Sequence, residues 1–209
     1  MPEVSSHVRS LKQSVYASLA EKMKALPEPP IGLHLGDTYA VPPAAARWEH
    51  LELTSAGNYR YSHPSGLPAL LEALASKLVR ENGVAATAEW VQVTCGATHA
   101  LHCAVHTLLQ PDDGVIILSP YWPLFGGMVR CLGAVDHEMA FEDLEMRPGV
   151  KALYFANPNN PDGRVYSQSE LELLATFAQE HDLWVISDEC YEHYLYDGNR
   201  HISIASLPG

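Results

Sequence analysis

The chain has 209 residues, 47% of them apolar and 18% charged, and a net charge of −12 at neutral pH. This balance excludes a disordered chain and leaves enough apolar material for one sizeable core. The acidic excess argues against duplex DNA or an anionic membrane as partner, since both reward clustered Lys and Arg, although a small anion can still bind locally.

The four cysteines, Cys95, Cys103, Cys131 and Cys190, show no C-x-x-C spacing, which points to a reducing cytosol. The N-terminal thirty residues contain no apolar signal core, and no stretch approaches the ~18 consecutive apolar residues of a membrane span. A soluble, cytoplasmic protein is expected.

In chain order, residues 8 to about 25 read as an amphipathic helix stopped by the Pro-rich "LPEPPIG", because Pro cannot continue a helix. The segment "LHLGDTYAVPP" reads as a loop. From about Gly66 a second helix is expected, with Leu67, Leu70, Leu71, Leu74 and Leu78 on one buried stripe and Asn82-Gly83 closing it. Short apolar runs then alternate with helical patterns. "WVQVT" (90–94) reads as a strand and is followed by a helix from about Thr98; "GVIILSP" (114–120) is followed by a short helix near 123–131. After "KALYFANP" (151–158) comes a helix from Ser167, where Ser167 and Glu170 form a capping box and Leu171, Leu174 and Ala178 face inward. "LWVIS" (183–187) is the last strand. Near-continuous apolar strands alternating with helices imply an α/β fold, a mainly parallel sheet with helices on both faces.

Ligands of such open sheets bind beyond the carboxyl ends of the strands, so the residues leaving each strand carry the functional reading. After "WVQVT" come Gly96, Ala97 and Thr98, small residues at a helix N-terminus, where free N–H groups suit a phosphate; taken alone, the segment is better explained as an ordinary Gly turn with a Thr cap. Trp122, between Pro120 and Pro123, can lie against a planar ligand or simply pack. "NPNNPDGR" brings Asn157, Asn159 and Asn160 to the same rim as turn formers. Asp188 leaves the last strand where its carboxylate could face a cationic ring nitrogen, and Tyr191 follows one short turn later; an acid in that place could also cap the next segment. Four exits converging on one rim favour a shared ligand.

Taken together, "LHLGDTY", "YRYSHPSGLPALLEALA", "VTCGATHAL", "SPYWP", "NPNNPDG" and "SDECYE" resemble the signatures, in the same order, of the class I and II aminotransferases, fold type I enzymes that depend on pyridoxal 5′-phosphate (PLP). The resemblance implies the N-terminal part of the PLP-dependent transferase (aspartate aminotransferase-like) fold. Residues 1–45 would belong to its small domain and 46–209 to an incomplete large PLP-binding domain. It further implies that Gly96, Ala97 and Thr98 hold the cofactor phosphate, that Trp122 stacks on the pyridine ring, and that Asn160 and Tyr191 share its phenolic oxygen. Asp188 would keep the ring nitrogen protonated. Tyr61 would reach the phosphate of a neighbouring subunit's cofactor, implying a homodimer, and Gly36 would lie beside the substrate carboxylate.

The family's catalytic lysine lies beyond the Asp-to-Tyr motif, whereas the lysines here, Lys12, Lys22, Lys24, Lys77 and Lys151, all precede Asp188. The expectation is therefore an N-terminal fragment with no catalytic residue of its own and no transaminase turnover alone, marginally stable through an uncovered sheet edge. Asp162 stands where the family usually has Thr and could perturb the turn without removing Asn160. PLP-dependent lyases and decarboxylases share every motif quoted. From other classes, His99, His102, Cys103 and His106 share one helical face and suggest a metal-binding module, although one short helix cannot surround an ion. "SPYW" is similar to a methyltransferase motif, but the Gly-rich turn those enzymes need is absent from the sequence. No metal is expected.

Overall fold

The computed structural model describes residues 3–9, 11, 15–28, 30–31, 40–50 and 54–208. It forms two compact units, Lys12–Ser62 and a larger one made of Met1–Leu11 with His63–Gly209. The single N-terminal helix expected over 8–25 is two helices, α1 (Ser6–Arg9) and α2 (Val15–Lys24), one in each unit. The Leu11 N–H bonds to the Val8 carbonyl three residues back, so α1 closes in a tight turn. The smaller unit also contains 3₁₀ turns at Ala44–Ala46, Trp48–His50 and Ala56–Tyr59, the last capped by Ser55 Oγ accepting from the Gly57 N–H.

In the larger unit, α3 (Pro68–Asn82) starts two residues after Gly66 and ends at Gly83. Its buried residues are Leu71, Ala75 and Asn82; Leu67 and Leu70 of the expected stripe face outward. Next come α4 (Ala97–Leu108), β1 (Gly114–Ser119), α5 (Pro123–Leu132), β2 (Val135–Ala140), β3 (Val150–Ala156), α6 (Gln168–Glu180) and β4 (Trp184–Asp188). The strands pair in parallel in the order β2-β1-β3-β4. The expected capping box of α6 is present, with Ser167 Oγ accepting from the Glu170 N–H and Glu170 accepting from the Ser167 N–H.

Alternation along the strands divides the core into two layers. Val115 and Ile117 of β1, with Ala152 and Tyr154 of β3, meet Leu101 and Val105 of α4 and Phe125 and Val129 of α5. On the opposite face Ile116, Leu118, Leu153 and Phe155 meet Leu171 and Leu174 of α6. Full burial of each such side chain contributes roughly 1.5–3 kcal/mol, so both faces must stay covered.

Two strand assignments differ from the sequence reading. Residues 91–94 make no ladder: the Val93 N–H goes to the Ser65 carbonyl at 2.8 Å, in a contact so close that a Cβ on Gly66 would lie 2.7 Å from Val93 Cγ2. An extended apolar run is a strand only when a neighbour pairs with it along a ladder, and among the described residues this one has the bond to Ser65 in place of a ladder. Conversely β2, "VDHEMA", went unread because it is an edge strand whose Asp136, His137 and Glu138 hide the apolar pattern.

The topology creates a crevice. The chain leaves β1 to add β2 on one side, then returns to add β3 on the other, so the segments leaving β1 and β3 part at their carboxyl ends.

Candidate functional site

A cavity of about 170 Å³ occupies that crevice, lined by Ala97, Thr98, Trp122, Asn160, Asp188 and Tyr191, with Leu101, Ala156 and Cys190 between them. Six sequence-selected residues, drawn from four separate segments, thus share one space. Gly96 sits beside it, with φ 79° and ψ 167°, a backbone conformation that side-chain-bearing residues rarely adopt. That turn starts α4 with Ala97 and Thr98 at the cavity wall, and the first N–H groups of a helix have no intrahelical acceptor. Trp122 precedes Pro123, the first residue of α5, so the indole is held at a stiff strand-to-helix junction.

Asparagines at the exit of β3 have divided roles. Asn157 is fully buried; it donates to the Ile202 carbonyl at 3.1 Å and accepts from the Tyr166 N–H at 3.0 Å. Its own N–H meets the Asp188 carbonyl at 2.9 Å, locking the ends of β3 and β4 together. Asn159 Nδ2 donates to the Pro120 carbonyl at 2.8 Å and to Asp162 Oδ1 at 2.7 Å, bridging the two sides of the crevice. Asn160 is the one of the three that lines the cavity. Asp162, which also accepts from the Arg164 N–H at 3.1 Å, organises the turn instead of perturbing it.

Asp188 ends β4 opposite Ala156 of β3. Its Oδ1 accepts from the Cys190 N–H at 3.2 Å and its Oδ2 from the Tyr154 hydroxyl at 3.3 Å. Burial and the adjacent Asp188 carboxylate raise the Tyr154 phenol well above its ordinary range, so it stays a neutral donor. The same two causes push the Cys190 thiol up to about 11, which leaves it protonated and a poor nucleophile at neutral pH. Tyr154 was missed in the sequence; the available signal was a phenol within an apolar strand, two residues before its end and on the pleat face that reaches the cavity.

Tyr61 is exposed in the smaller unit, and Gly36 and Lys12 lie outside the described residues. Lys22 and Lys24 belong to the smaller unit, and Lys77 is paired with Glu192. Lys151 is at the amino end of β3, five residues from Ala156 and thus roughly 16 Å of strand from the cavity. On α4, His99 Nδ1 accepts from the Cys95 N–H at 3.2 Å, and the His102 and His106 rings lie 4.2 Å apart. Among the described residues, no group of three or more His, Cys, Asp or Glu side chains is arranged to hold a metal ion. Nor is any described helix long and apolar enough to cross a membrane.

A parallel sheet whose strand ends gather a helix N-terminus, an indole, an amide, a phenol and a carboxylate is an α/β domain with a candidate ligand site, and solved structures show its fold to be of the aspartate aminotransferase-like type. The chain belongs to the family Aminotransferase class I and II, whose model matches residues 30–208. It is 39% identical to the aspartate/prephenate aminotransferase of Thermus thermophilus, over 96% of this chain and 56% of that protein. It is 33% identical to an aspartate aminotransferase of Streptomyces avermitilis, over 92% of this chain and 51% of the relative. A solved double mutant of the Thermus thermophilus aspartate aminotransferase superimposes with a TM-score of 0.85 at 35% identity, covering 99% of this chain and 58% of that one. The chain therefore spans just over half the length of the relatives it matches.

Proposed function

We propose that this chain forms the cofactor-holding part of a PLP-dependent aminotransferase, an enzyme moving an amino group between an amino acid and a 2-oxo acid. The observation that carries this reading is the single cavity shared by Thr98, Trp122, Asn160, Asp188 and Tyr191. Its donor set suits a phosphorylated aromatic cation. The N-terminus of α4, with Gly96, Ala97 and Thr98, offers N–H groups and a hydroxyl to a phosphate. Trp122 offers a flat face to a ring, Asn160 and Tyr191 offer donors to a phenolic oxygen, and Asp188 offers a carboxylate to a ring N–H.

When bound, the cofactor supplies an electron sink for the charge that develops as the substrate's alpha proton leaves. Asp188 holds the proton on the ring nitrogen that makes the sink effective, and the Tyr154 hydroxyl and Cys190 N–H fix the orientation of its two oxygens. Gly36 takes the place beside the substrate carboxylate, and Tyr61 reaches the phosphate site of a second copy in a cytoplasmic homodimer. Residues 1–45 belong to the small domain of that enzyme and 46–209 to the large one. Both relatives quoted above are named for aspartate, so dicarboxylic amino acids are the first donors to test. None of the residues lining the cavity is a lysine.

Titration of the chain with PLP, read by quenching of Trp fluorescence, tests the assignment. Saturable binding tighter than about 1 mM is expected. Charge-assisted hydrogen bonds are worth ~1.5–3 kcal/mol, so Asp188→Asn should weaken binding by roughly ten- to a hundredfold. Absence of saturation, or equal affinity in Asp188→Asn, rejects the reading.

A further inference from the structure

Tyr191 reaches the cavity from a segment with no ladder to hold it. Residues 189–194 form a turn whose backbone bonds are local, from the Glu192 N–H to the Glu189 carbonyl at 3.1 Å and from the Tyr194 N–H to the Tyr191 carbonyl at 2.8 Å. What fixes the turn is side chains on either side of Tyr191. Glu189 accepts from Ser187 Oγ at 3.0 Å and Ser203 Oγ at 2.9 Å. Glu192 is held by α3, more than a hundred positions earlier. Lys77 Nζ pairs with Glu192 Oε1 and donates to Asn82 Oδ1 at 2.7 Å, while Asn82 Nδ2 donates to Glu192 Oε2 at 2.7 Å.

These three groups close a ring in which both carboxylate oxygens and both amide atoms have partners. Asn82 is buried, and the Lys77 and Glu192 side chains are 24% and 19% exposed, so solvent screens the pair less than it would a surface ion pair.

We propose that Lys77, Asn82 and Glu192 form a positioning clamp that holds Tyr191 at the cavity, making the C-terminal turn of α3 part of the working site. This role for the three residues rests on the cofactor reading above, but the clamp itself is a property of the unliganded chain. It also gives Lys77 a structural duty, as the partner of a half-buried carboxylate. Geometry makes the clamp specific. A Gln at 192 would turn its own NH₂ toward either Lys77 or the Asn82 NH₂, and rotating the Asn82 amide to meet it would withdraw the acceptor from Lys77. A charge swap, by contrast, can be served by the same rotation, with Asn82 Oδ1 accepting from a lysine at 192 and Nδ2 donating to a glutamate at 77.

The test compares Lys77→Met, Glu192→Gln and the double swap Lys77→Glu/Glu192→Lys in the 209-residue chain. Amide hydrogen exchange of the unliganded proteins by mass spectrometry should show residues 190–194 exchanging at least about tenfold faster in each single variant, the equivalent of ~1.4 kcal/mol of local opening. Exchange in α6 should be unchanged, and the swap should restore most of the protection. PLP affinity should fall about tenfold in the single variants and recover in the swap. Unchanged exchange at 190–194 in folded single variants, or no recovery in the swap, overturns the clamp. Failure of the parent chain to bind PLP counts against the cofactor reading alone, because the exchange measurement judges the clamp without ligand.

Discussion

Phe125→Ala would remove the packing beneath the Asp188 carboxylate. Phe125 is fully buried, and its ring stacks on Tyr154 with centroids 3.5 Å apart and planes 9° from parallel. Tyr154 in turn is the phenol that meets Asp188. Core Phe-to-Ala changes cost ~3–5 kcal/mol, the cost rising with the volume that cannot collapse. The hole here is bounded by β1, β3 and α4, elements fixed by their own ladders and helix bonds, so about 4 kcal/mol is expected. Against a typical total of ~5–15 kcal/mol, that is a large share of the stability. Phe125→Leu keeps most of the volume and loses the stack, for ~1–2 kcal/mol. Urea unfolding followed by far-UV circular dichroism measures both, with an unchanged m-value marking a true change in stability. A loss below about 1 kcal/mol in Phe125→Ala, at constant m, would refute the packing described for this layer.

Acid should weaken the fold through two carboxylates. Burial works to raise the Glu192 pKa, but hydrogen bonds from Lys77 and Asn82 outweigh it and hold it below the usual range; at Glu170 the Ser167 N–H and Arg164 likewise outweigh burial. A pKa depressed in the folded state stabilises above the unfolded value of ~4.3 and is lost as pH falls through the folded value. Thermal midpoints should therefore be flat from neutral pH to about 5 and drop below about 4.3, with a shallower drop in Glu192→Gln; an identical drop in that variant would count against the assignment. Asn159→Ala should cost ~1–3 kcal/mol, because it leaves the Pro120 carbonyl and Asp162 without their shared donor. The same urea assay measures it, and a neutral result would mean the bridge across the crevice is replaceable.

Legibility in the sequence followed burial and distance along the chain. β1 and β3 could be read because strands covered on both faces are nearly continuous apolar runs, β4 because 183–186 is apolar throughout even though Trp184 is exposed, and α6 because its capping box is written in four adjacent residues. β2 could not, since an edge strand has one neighbour and tolerates Asp136 and Glu138, and 91–94 was over-read because apolar residues say nothing about whether a pairing partner exists. Within the site, Thr98, Trp122, Asp188 and Tyr191 were visible because they follow closely on the strand exits, whereas Asn160 was singled out among three asparagines by the family resemblance alone. The duties of Asn157, Asn159 and Tyr154 were hidden because they depend on which atoms meet after folding. The link from Lys77 to Glu192, 115 positions away, left no local trace.

The end of β4 places two acids side by side on opposite faces of the pleat. Asp188 turns toward Tyr154 and the cavity, and Glu189 turns toward Ser203 and His201, whose Nε2 lies 3.2 Å from its carboxylate. Since side chains alternate with a period of two, a slip of one residue in β4 against β3 would exchange them. The cavity would then receive a carboxylate longer by one methylene, and the shorter acid would be marooned beside a histidine. The parity of this strand, an odd or even count of residues from Trp184, thus decides which acid looks into the hollow and which serves as carpentry behind it.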